Sequence, residues 1–344
     1  LYSSGTTGEP KGIMHEAKSL IDSAKSFASL SELNKSSIVY HHFPMYYMAG
    51  IFNMFLCPMV SGAKIVLGKQ FSREQMLTFW DIPMKYGVNN LTLTPTMAIS
   101  LVRVYRENEK LHKYIRNIKS VISTGSYLYQ SIFDKFKEKF SLPLQTCYGV
   151  TELGGTITYK KKTELNLIDS VGSYCENIKF MCSGTKVSPS EVFIKTPFMF
   201  KGYFMNGKVK NFSKDQFFDT GDVGYVANKQ LYITGRKGDL VKKGGEFISI
   251  SGIENEFIDI SYIEELSIVS VEDEFWGNKI LLFYVPKIKN KDKIQLKLDE
   301  HARYYLTNIE QPDEYIQVRK MPKTSIGKII KKDLIKLYKK RLLG

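Results

Sequence analysis

No apolar run in this chain reaches the roughly 18 residues that a membrane-crossing helix needs, which predicts a soluble protein with no transmembrane segment. Cysteine is scarce. Cys57, Cys147, Cys175 and Cys182 form no C-x-x-C pair and sit mostly in apolar runs, so a zinc site is not expected and reduced thiols in a cytoplasm are. No aromatic and arginine pattern of a nucleic-acid module accompanies the many lysines, which removes DNA and RNA from the expected partners. Internal repeats and low-complexity tracts are missing too. The chain opens on Leu1 rather than Met, which leaves a signal peptide undecided.

What is present is the composition of a globular enzyme-sized chain. With 344 residues, two domains are the natural expectation, since domains run to about 100 to 200 residues. A net charge of +14 favours an anionic partner such as a nucleotide, a coenzyme or an acidic carrier protein, although solvated lysine-rich helices account for it equally well. Much of the lysine lies in "KIIKKDLIKLYKKR", Lys328 to Arg341, which reads as an amphipathic helix with a basic outer face.

Apolar spacing predicts a helix from Glu16 onward and then an alternation. Strands are expected at Ile38 to Phe43, Ala63 to Leu67, Leu91 to Leu93, Ile118 to Ile122 and Leu144 to Tyr148. Helices fall between them at Ala49 to Val60, Ser72 to Tyr86, Pro95 to Arg106 and Tyr127 to Phe140, with Ser72 and Gln75 spaced as a capping box. Such alternation predicts an α/β fold, a mainly parallel sheet with flanking helices. From Gly154 to Gly235 the texture changes to short strands such as "EVFIKT" and "QLYITG", which predicts a small β subdomain. A last α+β block follows, so the expected domains are 1–235 and 236–344.

Ligands of open α/β sheets sit beyond the carboxyl ends of the strands. Three polar loops fall there: "YSSGTTGEPKG" at the start, "STGS" at Ser123 to Ser126, and "YGVTE" at Tyr148 to Glu152. The first has the chemistry of a phosphate cradle. Its glycines let backbone N–H groups turn toward an anion, its hydroxyls donate further bonds, and Lys11 adds charge. It is no Walker A loop, because Gly12 follows Lys11 where Ser or Thr is required.

These loops recur with "PMYYMAG" at Pro44 to Gly50, "EVFIKTPFMFKGY" at Glu191 to Tyr203, "FDTGDVG" at Phe218 to Gly224, "GRKGDLVKKGG" at Gly235 to Gly245 and "PKTSIGKI" at Pro322 to Ile329. In that order the set resembles the adenylate-forming (AMP-binding) superfamily of acyl-CoA synthetases, peptide-synthetase adenylation domains and luciferase. The resemblance implies that a carboxylate joins the α-phosphate of ATP with release of pyrophosphate, and that the acyl group then passes to a thiol. It also implies a substantial N-terminal portion ahead of the opening loop, which is missing here, so a fragment of an active enzyme is expected.

By the same resemblance, Ser4, Thr6, Thr7, Gly8 and Lys11 hold the departing phosphates, while Gly125 and Ser126 line the adenine site. Tyr148, with Gly149, flanks the ring, Thr151 touches the α-phosphate, Glu152 holds Mg²⁺, and Asp222 takes the ribose hydroxyls with Arg236 beside it. Lys328 is the expected catalytic cation over the carboxylate and α-phosphate. Gly238 marks the hinge of a mobile C-terminal domain, where Asp or Lys is usual, and Gly244 and Gly245 face the pantetheine arm of coenzyme A. Ile250 and Gly252 depart from the proline and glutamate common there.

Tyr47 replaces the usual histidine at the acyl pocket, for which Tyr46, Met48, Thr94, Met97 and Val150 are further candidates. No aspartate awaits a substrate amine, which tilts the expected substrate toward a fatty or other plain carboxylic acid. Coenzyme A is the expected acceptor, with phosphopantetheine on an acyl carrier protein as the alternative. A non-catalytic nucleotide-binding remnant is the reading from another class.

Overall fold

The computed structural model describes residues 1–4, 10–72, 74–125, 128, 130–165, 170–228, 230–257, 260, 262–287, 291–323 and 329–342. The chain divides into two compact units. The first comprises Leu1–Ser183, Glu191–Thr220 and Gly224–Ile233, and the second Gly184–Ser190, Gly221–Val223 and Thr234–Gly344.

In the first unit, β1 (Tyr2–Ser4) folds back antiparallel on β2 (Pro10–Met14), and α1 (Ala17–Leu30) follows. The buried face of α1, Ser23, Ala24, Phe27 and Ala28, repeats at the helical spacing seen in the sequence. Glu16 precedes α1 without capping it. Its carboxylate binds Lys201 and Lys214 instead, and their hydrogen bonds and charge pull its pKa down to about 2.

The chain then alternates: β3 (Ile38–His41), α2 (Met48–Ile51), a wider π-type turn over Phe52–Leu56, α3 (Cys57–Ser61), β4 (Lys64–Leu67), α4 (Asp81–Tyr86) and β5 (Asn90–Leu93). After these come α5 (Pro95–Val104), α6 (Glu109–Ile115), β6 (Ser120–Ser123), α7 (Gln130–Phe140) and β7 (Gln145–Thr146). The five strands form one parallel sheet in the order β4-β3-β5-β6-β7, as the alternation predicts. Its central strands β5 and β6 are buried at every position because helices cover both faces. Val121 packs into one core with Leu91, Phe136 and Phe140, while its neighbour Ile122 packs into the other with Phe27 and Phe52.

Local chemistry explains where the elements differ from the periodicity. The helix expected over Ser72 to Tyr86 is regular only from Asp81, because Pro83 has no N–H to bond back to Phe79. Ser72 still accepts the Gln75 N–H at 3.3 Å. Pro58 likewise removes a donor from the helix after Met48, and the turn just before it widens. Helix α6 has no counterpart in the expected elements, although Asn108 caps it by accepting from Lys110 and Leu111.

Short strands follow, as expected for the region from Gly154. β8 (Gly149–Val150) pairs with β9 (Gly155–Thr156), and β10 (Thr158–Tyr159) with β11 (Ser173–Tyr174). β12 (Lys179–Met181) and β13 (Ser190–Lys195) lead to β14 (Gly202–Met205), β15 (Lys208–Asn211), β16 (Phe218–Ala227) and β17 (Gln230–Arg236). One sheet runs β12-β13-β16-β17, and a second, β1-β2-β14-β15, takes in the opening hairpin.

In the second unit β18 (Leu240–Lys243) and β19 (Glu246–Ser249) form a hairpin, followed by α8 (Ile250–Glu256). Long strands β20 (Ile263–Asp273) and β21 (Gly277–Pro286) pair antiparallel. α9 (Lys291–Tyr305), β22 (Glu314–Gln317) and α10 (Lys331–Leu342) complete the unit. Its sheet carries one core on each face, around Ile268, Leu282 and Leu298 on one side and Leu281, Phe283 and Leu334 on the other. Among the described residues, no helix is long and apolar enough to cross a membrane, and all four cysteines are unbridged.

At the end of β3, the His42 ring is fully buried and its Nε2–H donates to the Thr92 carbonyl at 2.9 Å. Burial lowers its pKa from 6.5 to about 4. The unfolded chain therefore takes up a proton that the native state refuses, so the stability linked to His42 is complete above pH 6.5 and falls as pH drops toward 4. The whole window amounts to on the order of 3 kcal/mol. His42→Gln keeps a donor toward Thr92 without the titration, so thermal unfolding should show a smaller loss of Tm between pH 7 and pH 5 in this variant than in the wild type.

Candidate active site

The opening hairpin brings Ser4 opposite Pro10 and Ser3 opposite Lys11. Its tip, with Thr6, Thr7 and Gly8, lies outside the described residues. The hairpin does not stand alone, because β2 also pairs with β14, setting Met14 opposite Gly202, Ile13 opposite Tyr203 and Gly12 opposite Phe204. The Lys11 ammonium lies 5.8 Å from the centre of the Tyr203 ring, within cation–π range.

Tyr203 leads on to the third polar loop. Its hydroxyl donates to Glu152 Oε1 at 2.9 Å, and the Phe200 N–H donates to the Glu152 carbonyl at 2.9 Å. Burial and the neighbouring Glu152 charge raise the Tyr203 pKa far above its usual value, so the hydroxyl stays a donor. Glu152 and Thr151 sit on the turn between β8 and β9, held by the Thr196 hydroxyl on the Leu153 carbonyl at 3.0 Å. The Tyr148 N–H donates to Thr158 Oγ1 at 2.9 Å, which fixes the start of the turn. Beside the Thr151 backbone, His15 is held neutral by burial, its pKa lowered to about 4.

Gly149 has a steric reason to be glycine. A Cβ there would lie 2.2 Å from the Gly155 carbonyl oxygen and 2.6 Å from the Thr156 Cα, both backbone atoms that cannot move aside. Beyond β6, Gly125 has φ +88°, and a Cβ on it would meet the Tyr47 hydroxyl at 2.9 Å and the Thr94 methyl at 3.8 Å. Tyr47, Thr94 and Gly125 therefore meet at the carboxyl end of the sheet. Ser126 lies outside the described residues. Tyr46 does not join this group, since it is 78% exposed. Met48 and Val150 pack against the core around Phe52, and Met97 against those of Leu93 and Phe43.

In the second unit, Asp222 is buried and accepts from Arg236 Nε at 3.0 Å. Gly238 has φ +85°, and among the described residues nothing lies within 4 Å of where its Cβ would be, so its backbone conformation is what favours glycine. Gly244 and Gly245, with φ +58° and +91°, form the two-residue turn joining β18 to β19, and such turns favour glycine by themselves. A Cβ on Gly244 would also strike Ile309 and the Trp276 ring. The preceding Lys243 is buried and paired with Asp313 at 2.8 Å, which anchors the turn. Lys328 lies outside the described residues.

Residues 1–204 match the family model described as AMP-binding enzyme, more than half of the chain. The chain belongs to the AMP-binding enzyme family. Residues 252–328 match this family's C-terminal domain. The chain is 26% identical over 375 residues to the mitochondrial malonate–CoA ligase of Homo sapiens, covering 98% of this chain but only 65% of that enzyme. It is 26% identical over 341 residues to a 2-succinylbenzoate–CoA ligase of Staphylococcus epidermidis, of which it spans 68%. Among solved structures, the ATP-bound MatB from Rhodopseudomonas palustris superposes with a TM-score of 0.75 at 21% identity, over 98% of this chain and 67% of that one. The o-succinylbenzoate CoA synthetase (MenE) from Bacillus subtilis, in complex with the acyl-adenylate intermediate OSB-AMP, gives 0.76 at 23% identity, over 97% of this chain and 68% of that one. These likenesses establish the AMP-binding fold, a large α/β part and a smaller C-terminal one.

Two residues that the structure sets beside Glu152 and Thr151, Tyr203 and His15, fall outside the candidates taken from the sequence. Tyr203 ends a quoted motif, and a tyrosine directly after Gly202 was the available signal. His15 carried none, because a histidine beside a strand end is ordinary. Gly149→Ala should destabilise the first unit by about 1 to 3 kcal/mol through overpacking against backbone, measured as a lowered midpoint of chemical denaturation.

Proposed function

We propose that this chain activates a carboxylic acid with ATP, forming an acyl adenylate and pyrophosphate, and passes the acyl group to the thiol of coenzyme A. The observation that carries it is the gathering of Lys11, Tyr203 and Glu152 around the opening hairpin, a cation, a fixed donor and a carboxylate on one rigid frame. Ser4, Thr6, Thr7, Gly8 and Lys11 would hold the leaving phosphates, Thr151 the α-phosphate, and Gly125, Ser126, Tyr148 and Gly149 the adenine. Asp222 and Arg236 would take the ribose. Lys328 would neutralise the charge that develops at the reacting oxygens, and Gly238 would be the turning position between the two half-reactions, with the domain boundary near Gly235.

Glu152 suits Mg²⁺. Among the described residues no group of three or more His, Cys, Asp or Glu side chains is placed to cage a metal ion. A hydrated Mg²⁺ shared with nucleotide phosphates usually takes one or two protein carboxylates and needs no such cage. The ion would neutralise the triphosphate.

The named relatives act on malonate and 2-succinylbenzoate, acids that carry a second carboxylate. We therefore place the substrate among small carboxylic acids, with dicarboxylates tested beside fatty acids, and keep Tyr47 and Val150 as acyl-pocket residues and Gly244 and Gly245 as the pantetheine contact. Helix α10 supports the carrier-protein alternative, since Lys339, Lys340 and Arg341 crowd its last turn. The four unbridged cysteines suit a reducing compartment, the cytoplasm being the simplest.

Carboxylate-dependent exchange of labelled pyrophosphate into ATP across an acid panel tests the first half-reaction, and coenzyme A against a phosphopantetheinylated carrier tests the second. Nucleotide binding without exchange for any acid would favour a non-catalytic remnant. Lys328→Ala should lose adenylate formation by a factor of roughly 10² to 10³ while keeping most thioester formation from supplied acyl adenylate. Unchanged pyrophosphate release would remove Lys328 from its role.

A further inference from the structure

We propose that Tyr203 is a positioning residue for the metal-binding carboxylate, holding Glu152 in place relative to β2 and the Lys11 ammonium so that a Mg²⁺–nucleotide complex meets an oriented ligand. This rests on the assignment of Glu152 as the Mg²⁺ ligand. Tyr203 touches both halves of the site. Its backbone is in the ladder with β2, opposite Ile13, and its ring lies beneath the Lys11 ammonium. Its hydroxyl ends 2.9 Å from Glu152 Oε1.

The ring has little freedom. Phe200 packs against it edge-on with centroids 4.9 Å apart, and the same Phe200 donates its N–H to the Glu152 carbonyl. Glu152 is therefore held twice by one short segment, once through its main chain and once through its carboxylate. A glutamate side chain on a turn samples many rotamers, and a single donor on Oε1 removes most of them. Among the described residues, Oε1 receives its bond from Tyr203 and no partner is seen for Oε2, which leaves that oxygen for a hard cation. Partners that orient a metal ligand are commonly worth a factor of 10 to 100 in metal affinity or activity.

Tyr203→Phe keeps the ring, the ladder and the Lys11 contact and deletes only the donor. The test is calorimetric titration of the full chain with ATP at a series of MgCl₂ concentrations, and with AMP in EDTA, beside Glu152→Gln and the double variant. Tyr203→Phe should raise half-saturating Mg²⁺ for ATP binding roughly tenfold and leave AMP affinity within about twofold of wild type. Glu152→Gln should raise it at least as far, and adding Tyr203→Phe to that background should change nothing more. If Glu152→Gln shifts the Mg²⁺ requirement and Tyr203→Phe does not, the positioning role is wrong while the metal assignment stands. If neither shifts it, the metal assignment falls and takes the inference with it. Equal weakening of AMP and Mg²⁺–ATP by Tyr203→Phe would show that the residue merely supports the fold.

Discussion

The site depends on one backbone ladder, the pairing of β2 with β14. Residues near the start of the chain and residues beyond Gly202 share only weak sequence signals, yet Gly12, Ile13 and Met14 lie opposite Phe204, Tyr203 and Gly202. A glycine-rich hairpin hydrogen-bonded only to itself would be marginal in water, because two strands bury too little. In the four-stranded sheet, β2 has a hydrogen-bonded strand on each side, β1 and β14. The ladder also carries Tyr203 to Glu152, so the loop after β7 and the opening hairpin share one frame. Where β2 leads into α1, Glu16 pairs at the surface with Lys201 just before β14 and Lys214 just after β15.

Close approach of backbones, more than side-chain packing, shapes the turn that holds Thr151 and Glu152. Gly149 has no room for a methyl group against Gly155, and a Cβ on Gly154 would run into the Phe198 carbonyl at 2.5 Å. A turn so constrained cannot swing its carboxylate by moving the main chain. Only the side-chain torsions of Glu152 remain adjustable, and these are what Tyr203 addresses. Two glycines of the second unit act differently: among the described residues, a Cβ on Gly238 or Gly245 would meet nothing within 4 Å, so it is their positive φ that favours glycine.

The parallel sheet was legible because β3, β5 and β6 are short apolar runs set between helical repeats, and the period changes where the structure changes. Ser72 to Tyr86 and Ala49 to Val60 were less legible. In each, one proline removes a single donor and reshapes a turn while the apolar spacing stays the same. The site was legible as motifs and not as geometry. "YGVTE" announces a carboxylate after a strand, but nothing local says which donor will hold it, since Tyr203 reaches Glu152 only after the chain has closed its second sheet. The glycine pair at Gly244 carries two meanings at once, a turn and a smooth surface, and spacing alone cannot separate them.

The lysines that pair with carboxylates fall into two groups with different consequences. Lys243 is buried against Asp313, whose Oδ2 also takes the Ile280 N–H at 2.6 Å, so this cation serves the fold. Removing it would leave a half-buried carboxylate without its counter-charge, which is more damaging than losing a surface pair. Exposed pairs such as Lys18 with Asp22 and Lys336 with Asp333 contribute little and are screened by salt. Each pair cancels within itself, so the net +14 stands as a field, and a field of that sign gathers anions before any contact forms. ATP and coenzyme A are both polyanions. Under the proposed function, encounter with both should weaken as ionic strength rises.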